Sequence, residues 1–320
     1  MKRIFCVAST CLLSLSVVVG SPRSLLDGST CIFSSSCPFL ERGCGSCNTS
    51  IARNASTDGL HIANVLCNRT LTFYGDSVAR QTTASIMCLM QEYYAVRNAL
   101  AMIPVRDNMC RTFTTQGCYL KICFKDITKG EYDLNYPLLI KDLLKRGDAS
   151  HIAVLNFGLH FFKADMYLKH LRKVFGIIRR TRLRNGKTVL WRETTAQHFP
   201  GSPDGEFTVK GHSLAVTGGC VQHVSITPFS NWRNKLANRA ALLSGVRVIP
   251  TYADTSKNAS SHVGGVTSTI TPKILRMIRN RDIRGMGDCT HFCQPGPLDF
   301  VTYSLVETID NINKFHERLL

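Results

Sequence analysis

TLTFYGDSVARQTTASIMCLMQEYY, residues Thr70 to Tyr94, changes its hydrophobic period at Gly75-Asp76-Ser77. Before that point, Leu71-Thr72-Phe73-Tyr74 is a short β-prone run. After it, Val78, Ile86, Met87 and Met90 mark the apolar side of a helix from Ser77 to about Tyr94. A strand that turns directly into a helix through Gly-Asp-Ser is the unit on which the rest of the chain is patterned.

Working outward, CYLKICF (118–124), HIAVLNF (151–157), KTVLWRE (187–193) and VRVIPTY (246–252) are further strand candidates. Helical patterns over 136–145, 164–180, 231–243 and 298–319 separate or follow them, and a Gly/Pro-rich loop is expected over 199–219. Strand and helix in alternation mean an α/β fold with a mostly parallel sheet covered on both faces. There is no internal repeat and no linker, so 67–320 reads as one domain. In such folds ligands meet the carboxyl ends of the strands.

The N-terminus has a different character. Lys2 and Arg3 precede an apolar run from Ile4 to Val19, followed by Gly20 and Ser21, the order of a secretory signal peptide over 1–20. A retained signal anchor is the alternative, although the run is short for a span of about 20 residues. Residues 21–66 form a Ser-, Gly- and Cys-rich segment expected to be irregular and tied by disulfides. Of 14 cysteines, Cys6 and Cys11 fall in the leader, which leaves an even set. Cys44 and Cys47 have CxxC spacing, read here as structural disulfide partners. Asn48, Asn54, Asn68 and Asn258 begin glycosylation sequons. All of this points to the secretory pathway, with the protein secreted or in the Golgi lumen. A membrane is a partner only if the leader is kept.

The net charge of +17 favours acidic polysaccharides or anionic membranes outside the cytosol. Nucleic acid is not expected as a partner. Much of the charge lies between Lys169 and Lys187, where Leu171, Val174, Ile177 and Ile178 keep helical spacing, so the basic residues read as a solvated helix face. His212, His223 and His262 read as isolated surface or loop histidines. No G-x-S-x-G elbow, P-loop or dinucleotide fingerprint is present.

Three positions carry chemistry. Ser77 stands at a helix N-terminus, where backbone N–H groups and the helix dipole favour developing negative charge, although Asp and Ser there are also ordinary caps. Asp288 and His291 share one short loop before the last helix, so the carboxylate can orient the imidazole and leave its other nitrogen to take the serine proton. Asn156, ending the third strand, could add its amide to an oxyanion hole with the Ser77 N–H. Cys289-x-His291-x-Cys293 could imitate a metal cluster, but His291 has the better role in the triad, so neither metal nor cofactor is expected.

The ordered blocks FYGDSVAR (73–80), VLNFGLHF (154–161), WRETTAQHF (191–199) with GGC (218–220), and DCTHFCQPG (288–296) resemble the PC-esterase branch of the SGNH (GDSL-like) hydrolase superfamily. That branch includes the trichome-birefringence-like polysaccharide O-acetyltransferases and the sialate O-acetyltransferase domain. The resemblance implies a three-layer α/β/α sandwich, Ser77 as nucleophile, Asp288 as triad acid, His291 as base and Asn156 as oxyanion donor. Gly117 is the candidate for the superfamily's second oxyanion glycine. Asp76, Gly158, His160, Arg192 and His198 are candidates to line the substrate. Two departures bear on the acceptor: Phe157-Gly158-Leu159-His160-Phe161 replaces the plant T-G-H-W-W, and Ala196-Gln197 replaces S-P. The implied activity is O-acetyl transfer to a carbohydrate through an acyl-enzyme, drawing on an acyl donor. The alternatives are a secreted carbohydrate acetyl esterase and a non-catalytic, basic polysaccharide-binding protein on a hydrolase fold.

Overall fold

The computed structural model describes residues 55–95, 109–115, 117–130, 132–144, 150–185, 187–223, 230–262, 287–292 and 296–318. The leader, the Cys44–Cys47 spacing and the sequons at Asn48 and Asn54 lie outside the described residues.

The elements in chain order are α1 (Ala55–Val65), β1 (Arg69–Gly75), α2 (Ser77–Ala95), β2 (Cys110–Thr115), β3 (Cys118–Asp126), α3 (Tyr136–Leu144), β4 (His151–Leu155), α4 (Ala164–Asn185), β5 (Thr188–Arg192), α5 (Val209–Gly218), α6 (Trp232–Leu243), β6 (Arg247–Ile249), α7 (Tyr252–Thr255) and α8 (Pro297–Glu317). The six strands form one sheet in the order β2-β3-β1-β4-β5-β6. All neighbours are parallel except β2 and β3, which form an antiparallel edge hairpin.

Strand alternation explains why helices cover both faces. Leu71, Phe73, Ile152, Val154 and Leu190 point to one side and pack with α1, α2 and α8 through Ile62, Leu66, Ile86, Leu89, Leu305 and Ile309. Tyr74, Ala153, Leu155, Val189 and Trp191 point to the other and meet α3, α4 and α6 through Leu139, Leu143, Leu171, Val174, Ile178 and Ala241. The basic helix α4 is amphipathic as expected: Leu171, Val174, Ile177 and Ile178 are buried while Lys169, Arg172, Lys173, Arg179 and Arg180 are exposed. From β1 the chain moves to β3 on one side and then to β4 on the other. This reversal opens a crevice at the carboxyl ends of β1 and β4, where Ser77 and Asn156 stand.

Three elements depart from the expected pattern. Residues 55–65, placed in an irregular segment, form α1, because Ile62 and Leu66 have a core to enter. β2 carries no long apolar run, and its place as an edge strand is marked by the cross-strand disulfide Cys110–Cys123. The Gly-rich loop contains α5, capped by Thr208 Oγ1 accepting from the Gly211 N–H and ended by Gly219 at φ 75°. Cys67–Cys118 and Cys220–Cys289 are also bonded, and disulfides form and persist in oxidising environments. No helix among the described residues is long and apolar enough to cross a membrane.

Gly75 is required by a close approach. A Cβ there would lie 2.4 Å from the Asn156 carbonyl oxygen and 2.6 Å from the Ala79 Cβ. Gly75→Ala is therefore expected to lower stability by roughly 1–3 kcal/mol, measured as a fall in the urea midpoint with the slope unchanged.

Candidate active site

Two segments far apart in sequence meet above β1. Asp76 caps α2: its Oδ1 accepts from the Val78 N–H at 3.0 Å and the Ala79 N–H at 3.2 Å, and its carbonyl accepts from Arg80. The Ser77 N–H, first of the helix, has no carbonyl one turn behind it and stays available beside its own hydroxyl. Ser77 Oγ lies 2.6 Å from His291 Nε2 across a separation of 214 residues. On the far side of the ring, His291 Nδ1 lies 2.7 Å from Asp288 Oδ2.

The remaining Asp288 oxygen accepts from the backbone N–H groups of Thr290 and His291, each at 3.0 Å, so the carboxylate is fixed by its own loop. Burial alone would raise the Asp288 carboxyl. The hydrogen bonds and charge of His291, with the two backbone donors, outweigh burial and hold it below its ordinary value. With Nδ1–H donating to Asp288, His291 presents a lone pair to the Ser77 hydroxyl, the tautomer a general base needs. Asp288 and His291 are about a quarter exposed, so the relay is open to a small ligand.

The loop that carries Asp288 and His291 is fastened on every side. Gln81, one turn after Ser77, donates from Nε2 to the Phe292 carbonyl and accepts at Oε1 from the Phe292 N–H, at 3.2 and 3.3 Å. Gln197 Nε2 donates to Thr290 Oγ1 at 2.7 Å. The His198 N–H donates to the Cys289 carbonyl, and Cys289 is bonded to Cys220. That disulfide also removes Cys289 from any metal-ligating role.

Other expected site residues sit differently. Gly117 is in the β2–β3 turn, ahead of β3. Because Arg69 pairs with Leu120 and Gly75 with Asp126, Gly117 lies nine strand residues from the level of Gly75, roughly 30 Å along the sheet, and cannot be an oxyanion glycine beside Ser77. Asn156 reaches the carboxyl end of β4, but it is buried. Both its amide protons are used, on the Arg192 carbonyl at 2.8 Å and Thr194 Oγ1 at 3.1 Å. As placed, it ties β4 to β5 rather than offering a donor.

Arg192 and Asp76 are buried as well and so do not line a ligand. The Arg192 guanidinium, pushed down by burial and drawn back up by the charge of Asp76, lies near the Gly75–Ser77 turn. Its nitrogens, Asp76 Oδ2 and Asn156 Oδ1 have no hydrogen-bond partner among the described residues. Gly158 is a packing residue: a Cβ there would fall 2.0 Å from Thr194 Oγ1. His160 is partly exposed, and its carbonyl accepts from the Tyr132 N–H.

His198 does not line the site either; it is fully buried behind the 287–292 loop against His262. His262, expected on the surface or in a loop, is equally buried because its ring stacks on Phe292 with centroids 4.1 Å apart. Gln81 and Gln197 were not singled out from sequence. Gln81 is four residues from Ser77 and so on its face of the helix, but nothing near it in sequence names Phe292 as its partner. A groove of about 520 Å³ between Leu242, Val246, Arg247, Val248, Thr308 and Asn311 lies at the start of β6, away from the Ser77–His291 contact.

Comparison with protein-family models and with curated proteins gives no match.

Asp288 has a depressed folded pKa, so it contributes stability above its unfolded value of 3.8 that is lost as pH falls through the lower folded value. Asp288→Asn should therefore destabilise the protein at pH 6, and the difference from wild type should shrink below about pH 4, followed by thermal unfolding across pH.

Proposed function

We propose that this protein is a serine-dependent acyltransferase that moves an acyl group, most simply acetyl, from an ester donor to a carbohydrate hydroxyl. The observation that carries the reading is the Ser77–His291–Asp288 relay at 2.6 and 2.7 Å. His291 accepts the Ser77 proton as Oγ attacks the acyl carbonyl. The Ser77 N–H donates to the oxyanion, and as the tetrahedral species collapses the donor's C–O bond breaks and its leaving oxygen takes the proton from His291. The acceptor hydroxyl then gives its proton to His291, attacks the acyl-enzyme carbonyl, and Ser77 leaves with its proton restored. Asn156 joins the oxyanion hole only if its amide releases Thr194 Oγ1 or the Arg192 carbonyl.

Three features support a glycan acceptor. The four ordered sequence blocks resemble the PC-esterase branch of the SGNH superfamily, including its polysaccharide O-acetyltransferases. The charge of +17 suits an anionic polymer. Phe162 and Phe207, each more than a third exposed, lie side by side with centroids 6.3 Å apart. The Phe207 N–H donates to Gln197, whose amide holds Thr290 next to His291. These rings could receive the apolar face of a sugar. Water in place of the sugar makes the same site an acetyl esterase.

Intact-mass analysis after exposure to a small acetyl ester tests this reading. Wild type should gain one acetyl group on Ser77, and Ser77→Ala none. Adding glycan should discharge the adduct faster than water if transfer dominates. Folded wild-type protein that never acylates with several donors would leave a binding protein on a hydrolase fold as the better account. Phe207→Ala should raise the acceptor KM several-fold while acylation of Ser77 is unchanged.

A further inference from the structure

Two buried imidazoles outside the triad meet behind the catalytic loop. His198 follows β5 and His262 follows α7, and neither ring is exposed. Three contacts run through them in a line. His198 Nε2 faces the Ser256 carbonyl at 2.9 Å, His198 Nδ1 faces His262 Nε2 at 2.7 Å, and His262 Nδ1 faces the His291 carbonyl at 3.0 Å.

The protons can be counted. Both carbonyls only accept, so each outer contact is a hydrogen bond only when the ring nitrogen carries the hydrogen, although the Ser256 carbonyl also accepts from Gln222 Nε2 at 2.5 Å. A neutral imidazole has one N–H, and both are then used at the ends. The two inner nitrogens would meet lone pair to lone pair at a distance suited to a hydrogen bond. Three contacts need three protons, and two neutral rings bring two. A fourth proton would set two N–H groups against each other. The arrangement therefore has room for one added proton and no more.

We propose that His198 and His262 are a positioning pair for His291 that takes up one shared proton as the pH falls and thereby couples the catalytic loop to pH. The proposal rests on the preceding reading only for the role of His291. The link to the loop is direct, since His262 grips the His291 carbonyl, stacks on Phe292 and bridges to it through the backbone.

The surroundings set the direction. Burial opposes charge on both rings; it brings His198 down to about 4, and it acts first on His262, with the charge of His198 next. His223, from the segment after α5, opposes a charge on His198. On the catalytic loop, Asp288 favours a charge on His262 and His291 opposes it. The Ser256 and His291 carbonyls favour the protonated pair. The added proton therefore binds below the ordinary histidine value of 6.5. It also disfavours a proton on His291, because the two charges repel.

Sign follows from the lowered values. Well above pH 6.5 neither the folded nor the unfolded chain holds an added proton on these rings. As pH falls from 6.5 toward about 4, the unfolded chain charges both rings while the fold resists, so the pair withdraws stability on acidification.

The test is a pH titration of the full chain with isotope-labelled histidine, reading the His198 and His262 ring nitrogens by NMR and loop amide exchange at Thr290–Phe292. Neither readout requires turnover, so failure of the acyl-transfer reading leaves the outcome intact. Wild type should show both rings moving together in one step that sums to a single proton, with loop exchange changing in the same step. His262→Gln, whose amide can still donate to the His291 carbonyl, should keep the loop protected and remove the step. His262→Phe, which keeps the stack on Phe292 but has no donor, should raise loop exchange at least tenfold at every pH. Two independent steps, rings that stay neutral wherever the protein is folded, or loop exchange indifferent to His262→Phe would each overturn the proposal.

Discussion

Everything at this site depends on the reciprocal pair of hydrogen bonds between the Gln81 side-chain amide and the Phe292 backbone. Gln81 is one helical turn from Ser77, and Phe292 is the residue after His291. The pair therefore fixes the distance between Ser77 and His291 across more than 200 residues of chain. Side-chain amides that satisfy both polar groups of one residue leave neither group free to pair elsewhere, and in a buried setting an unmade bond costs about 1–3 kcal/mol. The Cys220–Cys289 disulfide, Gln197 and the His198–His262 pair hold the other sides of the same short loop. A 2.6 Å contact between two mobile side chains is only useful if their backbones do not drift.

Below the relay the interior is polar and buried, and only part of its hydrogen-bonding capacity is used among the described residues. Asp76 caps α2 with one oxygen and faces the buried Arg192 charge with the rest of its field, while Asn156 joins the ends of β4 and β5. Gly75 permits the close approach of the Asn156 backbone and Gly158 that of the Thr194 side chain, which brings these strand ends together. The result is a floor that positions the helix N-terminus rather than a lining that touches substrate. What remains open toward a ligand is the Ser77 hydroxyl and N–H, the His291 ring and the outer rim near Phe207.

Much of this was legible from residue patterns. The period change at Gly75-Asp76-Ser77 located the β1–α2 turn, and apolar runs located the buried parallel strands, because a strand covered on both faces has no polar alternation to obscure it. The pairing of Ser77 with Asp288 and His291 was also readable, since a serine at a helix N-terminus and an Asp-x-x-His loop are the residue types a proton relay needs. What was not legible depended on partners distant in sequence. Gln81 looks like any helix-face glutamine until Phe292 is beside it. His198 and His262 look like a candidate ligand and a lone loop histidine, and only the packing of 259–262 behind 288–292 buries them together. Asn156 was placed at the correct strand end, but its hydrogen bonds to β5 set its orientation. Gly117 was chosen by residue type, and the hairpin geometry puts it at the wrong end. α5 escaped because Gly211 and Gly218 argue against a helix locally, whereas packing of Ala215 and the Cys220 tether favour it.

The central claim is that Ser77 is activated by His291 and by nothing else. The most direct measurement is the rate at which an active-site-directed fluorophosphonate modifies the folded protein, with the labelled peptide identified, in wild type and in His291→Ala. The account predicts a single label on Ser77, a rate that rises as the imidazole loses its proton, and a loss of at least a hundredfold in His291→Ala. Labelling of another serine, or of Ser77 at an undiminished rate without His291, would contradict it.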